Sequence, residues 1–146
     1  MRLRFFNIFG PRQDASSPYS GVIAIFAAAM LAGRTPRIDG DGEQTRDFTY
    51  VADAVQAVMK AADAPSASGN VYNIGAGGGV SILKLVDDLN QILGTSVTPV
   101  HGDPRPADVR HSQADISRAR ADLGYEPAVD FKEGLRRTVE FLRGNS

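Results

Sequence analysis

Two kinds of hydrophobic pattern alternate along the chain. Short apolar stretches at residues 3–9, 71–74 and 97–100 predict strands, and the first two read as buried strands with apolar residues on both faces. Longer stretches with apolar residues every three or four positions lie between and after them and predict helices. Strands that alternate with helices indicate an α/β fold.

The first two predicted helices flank a glycine turn. Ser20 is a candidate cap for a helix over residues 22–31, and Gly33 and Pro36 follow its end. The second helix opens at Val51, directly after an extended piece over residues 48–50. Its large apolar residues share one face, as is typical of the face that a helix turns to the core. These residues are Val51, Val55, Val58, Met59 and Ala62.

The last three predicted helices carry recognisable start signals. Ser81 is placed to cap a helix that Gly94 ends, and Asp115 is placed to cap one that Gly124 ends. The segment 130–133, with Asp at its first position and Glu at its fourth, reads as a capping box at the start of the final helix. The chain therefore reads as a single unit over residues 1–146.

Composition narrows the function classes. The 146 residues are 42% hydrophobic and 23% charged, with a net charge of −1, and basic residues form no block or stripe. We therefore expect no nucleic-acid partner. The longest apolar run, residues 21–32, is too short to span a bilayer, and the N-terminus is unlike a signal peptide. With no cysteine, the composition predicts a soluble cytoplasmic protein without a thiolate metal site.

Arg46 is the first candidate for binding chemistry. It follows a turn built on Gly40 and Gly42, where a planar guanidinium can contact a phosphate at two points. The alternative is an ion pair with Asp47 or Glu43 on a solvated loop.

A second polar cluster lies at residues 105–112. It supplies Arg105 and Asp108, so two arginines on separate loops could neutralise a diphosphate while the carboxylate orients one of them or accepts a sugar hydroxyl. Asn7 adds an amide at the end of a predicted strand, where α/β sheets bind ligands. Each of the three residues could instead be an ordinary surface or strand-end polar group. His101 and His111 have no metal-ligand spacing, so we expect no metal site.

The glycine run at residues 75–79 has the context of a dinucleotide fingerprint but not its spacing. It follows a predicted strand and precedes a helix, yet the third glycine would have to stand at position 80, which is Val80. We interpret the run as a tight strand-to-helix connection.

Five stretches, in this order, resemble the NAD-dependent epimerase/dehydratase family, the extended short-chain dehydrogenase/reductases that act on nucleotide sugars. They are FFNIFGPRQ at 5–13, YSGVI at 19–23, GDGEQTRDF at 40–48, VYNIG at 71–75 and RPADVRHSQADI at 105–116. The nearest likeness is to UDP-N-acetylglucosamine and UDP-glucose 4-epimerases. The resemblance covers nearly the whole chain, but only the C-terminal portion of such an enzyme: the last Rossmann strands and a small α/β substrate-binding domain.

The resemblance implies a set of substrate contacts. Positions that bind the substrate diphosphate match Asn7, Arg46 and Arg105, and one near the ribose matches Asp108. A residue that packs beside the nucleotide matches Val22.

The resemblance also implies sugar and base contacts. Sugar-pocket positions match Gln13 and Ser112, and a variable position at the uracil end matches Asp39.

The catalytic residues of the family have no match. The family uses a tyrosine base with a lysine four residues later, because nearby positive charge lowers the pKa of the tyrosine. Isoleucine, alanine, alanine and valine stand four residues after the tyrosines of this chain, which are Tyr19, Tyr50, Tyr72 and Tyr125. We therefore expect no catalytic residue here, and we expect the main NAD site of the intact enzyme to lie in an N-terminal Rossmann part that is absent.

The sequence thus predicts the UDP-sugar-binding part of an NAD-dependent 4-epimerase, inactive alone. The alternatives are a fragment of a nucleotide-sugar dehydratase or decarboxylase, and a non-catalytic nucleotide-sugar-binding or assembly module. Because the strand at residues 3–9 has almost nothing before it to cover it, we also expect self-association or pairing with a missing N-terminal half.

Overall fold

A computed structural model describes residues 1–17 and 21–144. These residues form eight short strands: β1 Arg2–Phe5, β2 Asn7–Phe9, β3 Arg37–Asp39, β4 Thr45–Arg46, β5 Phe48–Tyr50, β6 Val71–Ile74, β7 Val80–Ser81 and β8 Val100–Gly102. Five helices accompany them: α1 Val22–Leu31, α2 Val51–Ala62, α3 Ile82–Leu93, α4 Ser117–Leu123 and α5 Phe131–Gly144. The prediction of an α/β fold is confirmed.

The strands pair two by two. The pairs β1–β6, β2–β5 and β3–β8 are parallel, and β4–β7 is antiparallel. The predicted strand at residues 3–9 divides at Phe6, whose amide donates to the Ile74 carbonyl oxygen at 3.0 Å, whereas the Asn7 amide donates to the Asp47 carbonyl oxygen at 3.0 Å. The stretch therefore pairs with β6 up to Phe6 and with β5 from Asn7 onward.

The prediction that this stretch is buried is wrong for β1. Within the described residues β1 pairs with β6 alone, and Phe5 is 47% exposed. The next strand along, β2, ends on the buried Phe9. Leu3 is the only residue of β1 that is not exposed, so this strand lies at the surface of the described chain.

The larger core lies between β2, β5 and the helices α1, α3 and α5. Aromatic rings pack at its centre, with Phe9 edge-on to Tyr50 at 5.7 Å between centroids and Phe48 stacked on Phe131 at 5.5 Å. A Cβ at Gly134 of α5 would lie 2.8 Å from the Tyr50 ring. Glycine is therefore needed there for α5 to approach the strands closely.

A second core contains β6, α2 and α4, and it corrects the predicted orientation of α2. The side of α2 that packs inward carries Ala57 and Ala61, which are 0% and 2% exposed. The large apolar stripe faces outward, with Val55 at 56% and Met59 at 60% exposed. Small alanines allow the helix to pack closely on β2 and α4, and the stripe is left without a partner in the described chain.

Two of the predicted helix caps are confirmed: the Lys84 amide donates to Ser81 Oγ at 3.1 Å, and the Glu133 amide donates to Asp130 Oδ1 at 3.1 Å. The predicted cap at Asp115 is wrong by one residue, because Ile116 stands at the cap position of α4 and makes no side-chain cap; Asp115 Oδ1 accepts from the Ser117 amide at 2.9 Å instead. Ser20 lies outside the described residues. The strand predicted at residues 97–100 lies later, as β8. In the described parts of the chain, no helix is both long and apolar enough to cross a membrane.

Candidate functional site

A cleft of about 370 Å³ opens between the start of α1, the strands β3 and β4, and the loop that follows β8. It brings together five of the seven predicted site residues: Asn7, Val22, Arg46, Arg105 and Asp108. The other lining residues are Ile25, Phe26, Arg37, Ile38, Asp39, Gln44 and Ile82. The structure thus gathers residues from six segments of the chain at one place. Their contacts with a ligand remain predictions.

The two predicted sugar-pocket residues do not line this cleft. The Gln13 side chain packs on Gly21, where an added Cβ would lie 3.1 Å from Gln13 Nε2. Ser112 is half-buried, and its amide donates to the Thr45 carbonyl oxygen at 3.2 Å. Tyr19, which belongs to the same motif as Val22, lies outside the described residues.

Arg46 is bound tightly to the protein itself. Its Nη1 donates to the carbonyl oxygens of Thr45 at 2.8 Å and Val109 at 2.6 Å, and its Nη2 lies 2.6 Å from Asp108 Oδ1. The side chain is only 16% exposed. The alternative partners expected from the sequence, Asp47 and Glu43, are not the ones it contacts. Arg46 therefore brings a positive charge to the cleft in a well-defined position.

Arg105 is held far more loosely. Its Nε lies 2.6 Å from Asp39 Oδ2, and its side chain is 76% exposed. The other oxygen of Asp39 lies 3.7 Å from Arg37 Nε. Arg37 was not predicted as a site residue, because it belongs to no recognisable motif in the sequence. The pairing of β3 with β8 brings it to the cleft.

A second cleft of about 550 Å³ adjoins the first and shares four of its lining residues: Asp39, Gln44, Arg105 and Asp108. Gln44 is a further site candidate that sequence reasoning missed. Its Nε2 donates to the Asp39 carbonyl oxygen at 2.8 Å, while its buried Oε1 has no hydrogen-bond partner among the described residues. The sequence signal for it was its place two residues after Gly42 and two before Arg46.

The loop over residues 103–110, which we call the strap, is joined to the segment 39–46 by three ion pairs. Arg105 pairs with Asp39, and Asp108 pairs with Arg46. In the third pair, Arg110 Nη1 lies 2.7 Å from Asp41 Oδ1. The hydrogen bond from Arg110 lowers the pKa of Asp41 to about 2. Asp41 is therefore charged near neutral pH.

Asp47 is the structural centre behind the cleft. It is completely buried, and its carboxylate accepts hydrogen bonds from the amides of Ala76 at 2.7 Å, Gly77 at 3.0 Å and Ala114 at 2.9 Å. It thereby joins the segment of Arg46 to the glycine loop and to the segment after the strap. This role could not be predicted from the sequence, because an acid beside an arginine is typical of a surface ion pair.

The glycine loop after β6 does not fit a dinucleotide. A fingerprint loop turns its backbone amides towards the pyrophosphate, but the Ala76 and Gly77 amides donate to Asp47. A Cβ at Gly75 would collide with Ala114. The loop is thus a packed connection, as its spacing predicted, and no step of a reaction is assigned to NAD here.

The tyrosines in the described chain are structural. Tyr125 is fully buried, and its hydroxyl donates to the Gly75 carbonyl oxygen at 2.8 Å. Burial, reinforced by the negative charges of Asp53 and Asp47, raises the pKa of Tyr125. Tyr72 is buried too, with its hydroxyl 3.1 Å from Asp122 Oδ2. With its raised pKa, the Tyr125 phenol stays protonated near neutral pH and cannot act as a base.

Comparison with known proteins identifies the relatives of this arrangement. A UDP-glucose 4-epimerase of Mycolicibacterium smegmatis is 42% identical over 140 residues, which is 96% of this chain and 44% of that protein. The crystal structure of the Thermotoga maritima UDP-glucose 4-epimerase with UDP-glucose superposes with a TM-score of 0.93 at 43% identity, covering 98% of this chain and 45% of that one.

The solved structure of a further relative contains a UDP sugar together with NAD. The Bacillus cereus UDP-glucuronic acid 4-epimerase, in complex with UDP-glucuronic acid and NAD, has a TM-score of 0.91 at 32% identity, over 99% of this chain and 45% of its own. The chain therefore spans about half the length of the relatives it matches and corresponds to their C-terminal part. The family model described as GDP-mannose 4,6 dehydratase matches residues 1–138. The chain belongs to this family of extended short-chain dehydrogenase/reductases.

Proposed function

We propose that this chain is the nucleotide-sugar-binding part of an NAD-dependent 4-epimerase and that the cleft takes the diphosphate of a UDP-hexose or UDP-N-acetylhexosamine. The observation that carries the proposal is the meeting of Arg46 and Arg105, from distant segments, at one cleft. Two guanidinium groups lining one cleft match the spread charge of a diphosphate, which arginine binds with paired, charge-assisted hydrogen bonds.

The other residues of the cleft would complete the substrate contacts. Asn7 supplies an amide at the start of β2, and Val22 supplies an apolar surface at the start of α1. Asp108 is oriented by Arg46, so its second oxygen can accept a hydrogen bond from a ribose hydroxyl. Gln13 and Ser112, which lie outside the cleft lining, are proposed as contacts of the hexose beyond the diphosphate.

The chemistry of epimerisation would come from the rest of an intact enzyme. NAD supplies hydride transfer at the sugar C4, and no residue of this chain is assigned to that step. We propose that the remaining half of a relative-length protein covers β1 and the outward stripe of α2. By itself the chain is expected to bind the substrate without converting it.

Calorimetric titration with UDP-glucose and UDP-N-acetylglucosamine tests the proposed cleft. Arg105→Ala removes an exposed arginine and should weaken binding by roughly 10- to 100-fold, the effect of losing a charge-assisted hydrogen bond. Arg46→Ala should weaken it at least as much, provided that a urea unfolding curve shows the variant to be folded.

Arg34→Ala is the matched control, because Arg34 is exposed and lies outside both clefts. It should bind like the wild type. Equal affinities for the wild type and Arg105→Ala, or no heat with either UDP sugar, would overturn the proposal.

A nucleotide-sugar dehydratase or decarboxylase on the same scaffold is the second candidate. The family model itself carries a dehydratase description, and the cleft residues would serve either reaction because they contact the nucleotide side of the substrate. A hexuronic acid sugar, compared with the neutral hexose, tests this candidate: a preference of tenfold or more for UDP-glucuronic acid would favour decarboxylation or uronate epimerisation.

A further inference from the structure

The two arginines of the cleft are held in different ways, and the difference assigns them different roles. Arg46 donates to three oxygens and is 16% exposed, whereas Arg105 has one carboxylate partner and is 76% exposed. Moving Arg46 would break three hydrogen bonds, two of them to backbone carbonyls. Moving Arg105 would break one exposed ion pair, which is worth little in water.

Asp39, the partner of Arg105, can lose this ion pair and still lie next to a second arginine. Asp39 lies in both clefts, and its Oδ2 contacts Arg105 while its Oδ1 faces Arg37 at 3.7 Å. If Arg105 leaves, Asp39 keeps a positive neighbour and is not left as an unpaired charge.

We propose that Asp39 is an internal counter-ion that competes with the ligand phosphates for Arg105. In the free protein Arg105 is paired with Asp39; when a diphosphate enters, Arg105 exchanges the carboxylate for a phosphate and Arg46 stays in place. Asp39 thereby weakens the binding of anions. This inference rests on the proposed function for its ligand, but the exchange itself needs only a diphosphate.

The exchange predicts that Asp39→Asn tightens binding. Without the competing charge, Arg105 is free for the ligand, and the dissociation constant should fall by roughly two- to fivefold, the range expected for an exposed ion pair. Asparagine keeps the size of the side chain, so the urea unfolding midpoint should not change. Calorimetry with inorganic diphosphate and with UDP-glucose measures the effect.

Asp41→Asn is the matched control. It removes the same charge from the same segment, 39–46, but Asp41 pairs with Arg110 and lies outside the first cleft. It should leave the affinity unchanged. An equal gain for Asp39→Asn and Asp41→Asn would show a general charge effect and overturn the exchange.

A double-mutant cycle locates the effect on Arg105. In an Arg105→Ala background, Asp39→Asn should give no further gain in affinity, because there is no arginine at position 105 for Asp39 and the ligand to compete for. A gain that persists there, or weaker binding with Asp39→Asn alone, would overturn the exchange, the latter by showing that Asp39 contacts the ligand directly.

The two ligands separate this inference from the proposed function. Diphosphate binding with the Asp39→Asn gain, but no UDP-glucose binding, would support the exchange and contradict the nucleotide-sugar site. UDP-glucose binding without the gain would do the reverse. If neither ligand binds the wild type or Asp39→Asn, both fail.

Discussion

At the scale of single residues, the site depends on carboxylates whose hydrogen-bond partners could not be predicted from the sequence. Asp47 stands next to Arg46, yet the arginine turns to Asp108 and Asp47 turns inward to three backbone amides. Asp53 has a similar role in the second core, where its carboxylate accepts from the amides of Ala128 and Val129. The direction of a charged side chain depends on the backbone donors that the fold brings near it. It could therefore not be predicted from the adjacent residues in the sequence.

We expect Asp47→Asn to destabilise the protein strongly. The asparagine amide group would turn its own N–H donors towards amides that need acceptors, and a buried mismatch of this kind costs about 3 kcal/mol. Urea unfolding measures the loss. Asp63→Asn, at the exposed end of α2, is the control and should change stability by less than about 0.5 kcal/mol. A variant of Asp47 as stable as that control would contradict the role given to its carboxylate.

At the scale of elements, local signals predicted where helices begin and end. The caps at Ser81 and Asp130 are local hydrogen bonds, so spacing alone predicted them; the cap predicted at Asp115 is wrong by one residue. The two-residue strands β4 and β7 were missed, because they exist only through pairing between distant segments. The orientation of α2 was also wrong, since the pattern of large apolar residues marks a face that needs a partner without saying which molecule supplies it.

The outward stripe of α2 gives a prediction at this scale. Four exposed apolar residues share it: Val51, Val55, Val58 and Met59. In the isolated chain such a patch should drive association in order to remove apolar surface from water. Light scattering should therefore show species heavier than the 15.6 kDa monomer.

Replacing the stripe should abolish that association. The double variant Val55→Asp and Met59→Asp places two charges on the exposed face without touching the core, and it should return the chain to a monomer. Val100→Asp is the control, because Val100 is 58% exposed on β8. A wild type that is monomeric at the same concentration would argue against this account of the stripe.

At the scale of the whole molecule, the central feature is the cleft that we propose for a diphosphate. The cleft was predictable in part: Arg46, Arg105 and Asn7 were expected to meet, and they line one cavity. Arg37 and Gln44 were not expected, because only the β3–β8 pairing and the turn around Gly42 bring them there. Within the described residues, Tyr72 and Tyr125 are buried in the protein interior and the glycine loop amides are bound by Asp47, which is consistent with the proposal that this part binds substrate while another part of the enzyme supplies the hydride chemistry.

Saturation-transfer NMR on a mixture of this chain, UDP-glucose and NAD tests that division in one experiment. The account predicts saturation transfer from the protein to UDP-glucose protons, its loss with Arg105→Ala, and no anomeric signal of UDP-galactose on prolonged incubation. The appearance of UDP-galactose would contradict the absence of catalytic residues. No transfer to UDP-glucose from the folded wild type would contradict the binding cleft.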